Sequence, residues 1–150
     1  DSFVYEICDL DSKCDSAAVT ITVTEQPDVP VVYVSSSSSG TAGGVSFADE
    51  DILAYDSTAG TWSMFFDGSS AGLPSGDVDA FHLDGDGSIL LSLSSDGITI
   101  PNVGTIDDSD IVRFIPSTGI FEWYFDGSEF ELDTSSEDIA ELAQNPPKKS

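Results

Sequence analysis

The chain of 150 residues sets 28 Asp and Glu against four Lys and Arg, a formal charge of −24 at neutral pH, with 39% hydrophobic residues. That apolar content is enough for one packed core, or a core with a small appendage, and it excludes disorder for want of hydrophobic residues. With no basic patch to grip phosphates, and no run near the roughly 18 apolar residues of a membrane span, nucleic-acid binding and membrane insertion are not expected.

The sequence starts at Asp1 without Met or a signal peptide, so a processed chain or an excised fragment is expected. Residues 3–9 (FVYEICD) and 17–25 (AAVTITVTE) are rich in β-branched and aromatic residues, and the second alternates Val19, Ile21 and Val23 with Thr20, Thr22 and Thr24. This is the pattern of a two-stranded hairpin over residues 1–25. Cys8 and Cys14, the only cysteines, flank its turn. A disulfide between them is the favoured reading, with free thiols or a two-cysteine metal site as alternatives, and it would place the chain outside a reducing cytosol. Residues 26–30 (QPDVP) carry two prolines and read as a linker.

From residue 31 to about 142 the chain repeats itself. Placing 49–69 (DEDILAYDSTAGTWSMFFDGS) over 108–128 (DSDIVRFIPSTGIFEWYFDGS) at an offset of 59 gives eight identities in 21 positions, among them Asp51/Asp110, Ile52/Ile111, Gly60/Gly119, Phe66/Phe125 and Gly68/Gly127. Chance does not give this, so a duplicated domain over 31–142 is expected, followed by a tail over 143–150. The same offset carries VVYVSS at 31–36 onto LLSLSS at 90–95, and Asp77-Val78 matches Asp138-Ile139 after a two-residue insertion.

One unit then has four strands, about 50–56, 61–67, 77–83 and 88–94, joined by turns at 57–60 and 84–87, while the second has only about 109–115, 119–126 and 137–142. Strand 31–36 is the natural candidate for the missing one. The expected fold is all-β: two four-stranded units, about eight strands in all, related by a pseudo-twofold. It would be propeller-blade-like, or a closed barrel or sandwich, sealed by strand 31–36. Strict alternation puts Trp62, Met64 and Phe66, like Phe121, Trp123 and Phe125, on one face with Phe65 and Tyr124 on the other, as in a central strand. Core packing explains such a stripe first. Exposed Tyr55, Trp62, Trp123 and Tyr124 would instead be platforms for stacking a ligand.

Carboxylates recur at equivalent places: Asp49 and Asp51 with Asp108 and Asp110 before the first strand, Asp126 after the second, and Asp77 and Asp79 with Asp138 before the third. Self-repulsion at this charge must be offset by divalent cations, salt or a basic partner. Calcium takes six to eight oxygen ligands, and D-x-D at a strand entrance can aim two carboxylates at one point, so these eight residues are the candidate Ca2+ ligands. Their plainer role is to build turns and keep an extracellular domain soluble. The turn at 84–88 is no EF-hand, because position 12 counted from Asp84 is Ser95 and position 6 is Ile89. No catalytic constellation stands out. His82 is the only histidine and sits in DVDAFHLD, with no nucleophile motif beside it, and so many acids make any chosen carboxylate pair uninformative. The chain is expected not to be an enzyme.

Two stretches resemble known families. DSFVYEICDLDSKCDSAAVTITV is similar to the closing strands of bacterial immunoglobulin-like or cadherin-like surface repeats, covering residues 1–25. VSFADEDILAYD, GTWSMFFDGS, DVDAFHLDGDGSILLSL and DDSDIVRF, spanning 31–142, resemble a repeat family of secreted bacterial proteins that carries no assigned activity. The resemblance implies an extracellular or cell-surface location, and with catalysis and nucleic-acid binding not expected, a structural or adhesive module is the reading left by exclusion. Its partners would be other copies of itself or neighbouring surface domains. The hairpin of residues 1–25 could extend a neighbour's sheet and so build a fibre. The rival expectation is a carbohydrate-binding module or glycan-active domain.

Overall fold

The fold is described from a computed structural model for residues 2–20, 31–132, 134 and 137–143. It is all-β, with short hairpins added to the expected strands. Strands β1 (Ser2–Cys8) and β2 (Cys14–Thr20) pair antiparallel in a register that sets Cys8 opposite Cys14, and the two are joined in a disulfide. Residues 21–25 of the expected second strand and the linker at 26–30 lie outside the described residues, as does the tail beyond residue 143.

The body is two copies of one chain path. In the first, β3 (Val31–Val34) leads through a hairpin, β4 (Gly40–Ala42) and β5 (Val45–Phe47), to β6 (Ile52–Asp56) and β7 (Thr61–Phe66), and a helical turn α1 (Gly68–Ala71) follows. After β8 (Val78–Leu83) the path repeats. It runs through β9 (Ile89–Leu93), the hairpin β10 (Ile98–Ile100) and β11 (Gly104–Ile106), β12 (Ile111–Ile115), β13 (Ile120–Phe125) and a 3-10 turn at Gly127–Phe130. The first sheet has the order β3-β6-β7 and the second β13-β12-β9-β8. The second is an antiparallel meander with the connectivity of a propeller blade. Gly60 and Gly119 end the β6–β7 and β12–β13 turns with φ of +66° and +69°, where a side chain would be strained.

Several finer expectations are corrected. Strand 31–34 pairs with β6 of its own unit and does not seal the second, because the short β4–β5 excursion returns the chain antiparallel beside it. Residues 137–143 form no strand. The body has eleven strands rather than about eight, since the hairpins at 40–47 and 98–106 were not anticipated. Nor are β7 and β13 central; each is a sheet edge. Their aromatics divide differently too. A bulge pairs Ile52 with Phe66 but Leu53 with Met64, and its equivalent pairs Ile111 with Phe125 but Val112 with Trp123. Adjacent residues of a strand point to opposite faces, so Phe66 and Met64 lie on opposite sides of the sheet.

The core lies between the two sheets. The first contributes Ile52 and Phe66, and the second contributes Leu91, Val112, Phe114 and Phe121, roofed by Ile98, Ile100 and Ile106 of the β10–β11 hairpin. Phe66 meets Phe114 edge-on with ring centroids 5.1 Å apart, and Phe114 meets Phe121 at 4.8 Å. Non-equivalent positions are in contact, since Phe66 corresponds to Phe125 and Phe114 to Tyr55. The units therefore stack head to tail, and the expected pseudo-twofold is replaced by a heterologous contact.

Candidate functional site

The repeated acidic residues fall into two groups with different work. Asp51 and Asp110 are buried, and both oxygens of each are engaged. Asp51 accepts from the Ala48 N–H at 2.8 Å and the Gly68 N–H at 2.9 Å, and Asp110 accepts from the Asp107 N–H at 2.8 Å and the Gly127 N–H at 2.9 Å. Each carboxylate brackets the turn before one strand to the helical turn after the next. Asp67 and Asp126 cap those helical turns. Asp67 Oδ1 accepts from the Ser70 N–H and the Ser69 hydroxyl, and Asp126 Oδ1 accepts from the Ser128 N–H and hydroxyl. These backbone bonds hold the Asp67 carboxyl below the ordinary range. Three expected metal ligands, Asp51, Asp110 and Asp126, are thus occupied in folding the repeat.

The glycine of the DGS motif has a role that sequence reasoning missed. A Cβ on Gly68 would lie 2.4 Å from the Glu50 carbonyl oxygen, and one on Gly127 would lie 2.4 Å from that of Ser109. The internal identity of D-x-D-I and F-D-G-S was the available signal. A carboxylate, a cap and a backbone approach that tolerates no side chain explain it together.

The other acids converge. Val78 donates its N–H to the Asp49 carbonyl at 3.0 Å, and Ile139 donates to the Asp108 carbonyl at 3.2 Å, so the segments starting at Asp77 and Asp138 are held in the same way in each unit. Asp138 lies near Asp79 of β8, Asp108 and Asp77, whose charges bear on its carboxyl. Asp77 in turn feels Asp79 and Asp49. Loss of water and then this crowding of like charges push the Asp138 and Asp77 carboxyls up. Burial followed by Asp96 raises Asp108, and burial, Asp49 and Asp51 raise Glu50 against the pull of its own backbone N–H. Five of the expected ligands, Asp49, Asp77, Asp79, Asp108 and Asp138, therefore belong to one electrostatic cluster spanning both units.

Crowded carboxylates are relieved by a proton or by a cation. Among the described residues, the one group of three potential metal ligands within 4.8 Å of one another is Glu6, Cys8 and Cys14. Its sulfurs are tied in the disulfide and offer no thiolate. His82 lies on β8, half-buried, with Nε2 3.8 Å from Asp84. On the second sheet, Arg113 reaches Asp86 and donates from Nε to the Ser88 hydroxyl at 2.9 Å, and the Ser88 bonds hold the Asp86 carboxyl below its ordinary range.

The four expected stacking residues separate. Tyr55 and Trp62 are half-buried against each other, with centroids 4.9 Å apart. Trp123 and Tyr124 are 43% and 49% exposed, and with Phe125, Asp126 and Glu129 they line a shallow concavity of about 370 Å³. The Trp123 indole N–H donates to the Val103 carbonyl at 3.2 Å, which fixes the ring. No described helix is long and apolar enough to cross a membrane. No family model, curated protein or solved structure matches the chain.

Proposed function

We propose that this chain is a non-catalytic structural and adhesive module of a bacterial surface or secreted protein, working outside the cell, whose unit junction is stabilised by calcium. The observation that carries the reading is the crowding of carboxylates where the units join: the Val78 N–H ties β8 to the Asp49 carbonyl of the first unit and the Ile139 N–H ties the last segment to the Asp108 carbonyl, and there Asp79, Asp108 and Asp77 raise the Asp138 carboxyl while Asp79 and Asp49 raise that of Asp77. Carboxylates pressed together where two repeats join are attractive to a divalent cation, which would replace repulsion with a bridge. The Cys8–Cys14 disulfide suits an oxidising compartment.

The test is a thermal melt in EDTA, in millimolar calcium, and in sodium chloride at matched ionic strength. Calcium held a hundredfold above its dissociation constant would add about 2.7 kcal/mol of stability. A rise with calcium that salt does not reproduce, and that Asp138→Asn removes, supports the reading. Equal stabilisation by salt alone would leave the cluster as surface charge without a metal.

A second reading rests on the groove beside Trp123 and Tyr124. A fixed, exposed indole next to a second aromatic and to Asp126 and Glu129 offers a stacking face with acceptors for sugar hydroxyls. Quenching or shift of tryptophan fluorescence by an oligosaccharide panel, lost in Trp123→Ala, would favour a carbohydrate-binding role.

A further inference from the structure

Each end of the repeat carries one half of the interface that joins its two units. In the core between the units, the first unit supplies Ile52, Phe66, Leu73 and Val78, none more than 5% exposed. Their counterparts in the second unit are Ile111, Phe125, Leu132 and Ile139, and all four are only half-buried. The receiving surface shows the same imbalance. Phe114 and Phe121 of the second unit are 8% and 1% exposed, whereas their counterparts Tyr55 and Trp62 are half-buried. Strand pairing corrects the expected match of 31–36 to 90–95 by two residues, since Val32 faces Tyr55 as Ile89 faces Phe114, and Val32 is 50% exposed against 3% for Ile89. A donor face thus lacks its acceptor, and an acceptor face lacks its donor, among the described residues.

Strand pairing repeats the mismatch. After α1 the chain crosses to the second unit, where β8 adds antiparallel to the edge of β9. The matching edge, the outer side of β3, carries no described strand, and the matching donor, segment 137–143, pairs with none. That segment is nonetheless held like β8 at its start, by the Ile139 N–H on the Asp108 carbonyl. Pairing it with β3 of the same chain would require two sheets to encircle an axis, whereas closed propellers need about four to eight blades.

We propose that a second copy of this chain supplies the missing half: residues 137–143 of one copy add to β3 of the next, and Phe125 packs on Tyr55 as Phe66 packs on Phe114. The inference deepens the structural-module reading and rests on it. Arg113, standing where the first unit has Ala54, is tied to Asp86 and Ser88 of its own sheet. The register follows from the internal precedent. Phe81 lies opposite Leu91, so Leu142 lies opposite Val34. A head-to-tail contact repeats itself, giving a filament or, at about four to eight blades, a ring of about two to four copies.

Sedimentation velocity on the full chain tests this. Species beyond the dimer are expected as concentration rises, while Phe125→Asp and Tyr55→Asp, each blocking one of the two faces, weaken association at least tenfold. Mixing the two variants should restore a one-to-one dimer and nothing larger, because one intact face of each kind remains. A disulfide trap checks register independently: Val34→Cys with Leu142→Cys should give an oxidised ladder of oligomers, and Val34→Cys with Ala140→Cys should not. A wild-type chain that stays monomeric to roughly 200 µM with no ladder from the in-register pair overturns the proposal. So does a mixture of folded variants that stays monomeric. Neither readout uses calcium or a glycan, so assembly can fail while the cation or sugar readings stand, and the reverse.

Discussion

The carboxylate of Asp51 accepts a hydrogen bond from the backbone N–H of Gly68, 2.9 Å away and 17 residues along the chain. Its other oxygen takes the Ala48 N–H, so one buried side chain satisfies two donors that no strand or helix provides for. Asp51→Ala would strand both and is expected to cost about 3 kcal/mol, with Asp51→Asn losing about half of that because its amide oxygen still accepts one bond. Urea denaturation followed by far-UV circular dichroism reads both values. Asp110→Ala should behave alike, and a neutral result at either position would contradict the bracketing role.

Gly68→Ala and Gly127→Ala put a methyl 2.4 Å from a carbonyl oxygen of the preceding turn. The backbone must shift, and overpacking of this kind costs about 1–3 kcal/mol. The same substitution at Gly85, where a Cβ meets nothing within 4 Å, is the matched control and should leave the denaturation midpoint nearly unchanged.

Phe66→Ala or Phe114→Ala removes one ring from the Phe66–Phe114–Phe121 stack and is expected to cost about 3–5 kcal/mol, against well under half of that for Phe125→Ala. Phe125 holds the equivalent place to Phe66 but stacks on Phe130, itself 62% exposed. Thermal melts of the three variants at a concentration low enough to keep the chain monomeric test this ordering.

The carboxyls of Glu50, Asp77, Asp108 and Asp138 are held above their ordinary range. The folded state therefore takes up protons before the unfolded chain does. Stability from this source rises as pH falls from neutral through the raised values and levels off in the ordinary carboxylate range. Asp67, held low, has the opposite sign: its contribution is present above the ordinary range and is lost as pH falls through its lowered value. A melting temperature that climbs on mild acidification and turns over in stronger acid is the expected profile, and Asp138→Asn should flatten the climb. A melting temperature that falls steadily from neutral pH would contradict the cluster.

The fold was legible in the sequence wherever a signal was local or repeated. The turn glycines and the offset of 59 gave the main strands and the duplication, because turn chemistry and repetition are written in the residues themselves. The small hairpins were missed because strands of three residues, such as Gly40–Ala42 and Gly104–Ile106, are too short to show a period. The candidate site was legible only as an excess of acid. That Asp51 would be saturated by backbone donors depends on how the turn after β7 folds back within its own unit, and that Asp79 would crowd Asp138 depends on how distant segments meet, and sequence spacing carries no record of either. The bulge misled the reading of β7 in the same way, since strict alternation cannot see one extra residue in the ladder.

That extra residue, Phe65 in one unit and Tyr124 in the other, acts as a phase shift in an otherwise even count. Upstream of it Trp62 and Met64 lie on the face of the sheet that carries Tyr55, and downstream Phe66 lies on the opposite face, against Phe114 of the other sheet. The direction in which units follow one another is thereby encoded in the parity of a single strand. Deleting Phe65 would keep the composition almost intact yet turn Phe66 away from Phe114, so that each unit faced its successor with the wrong side.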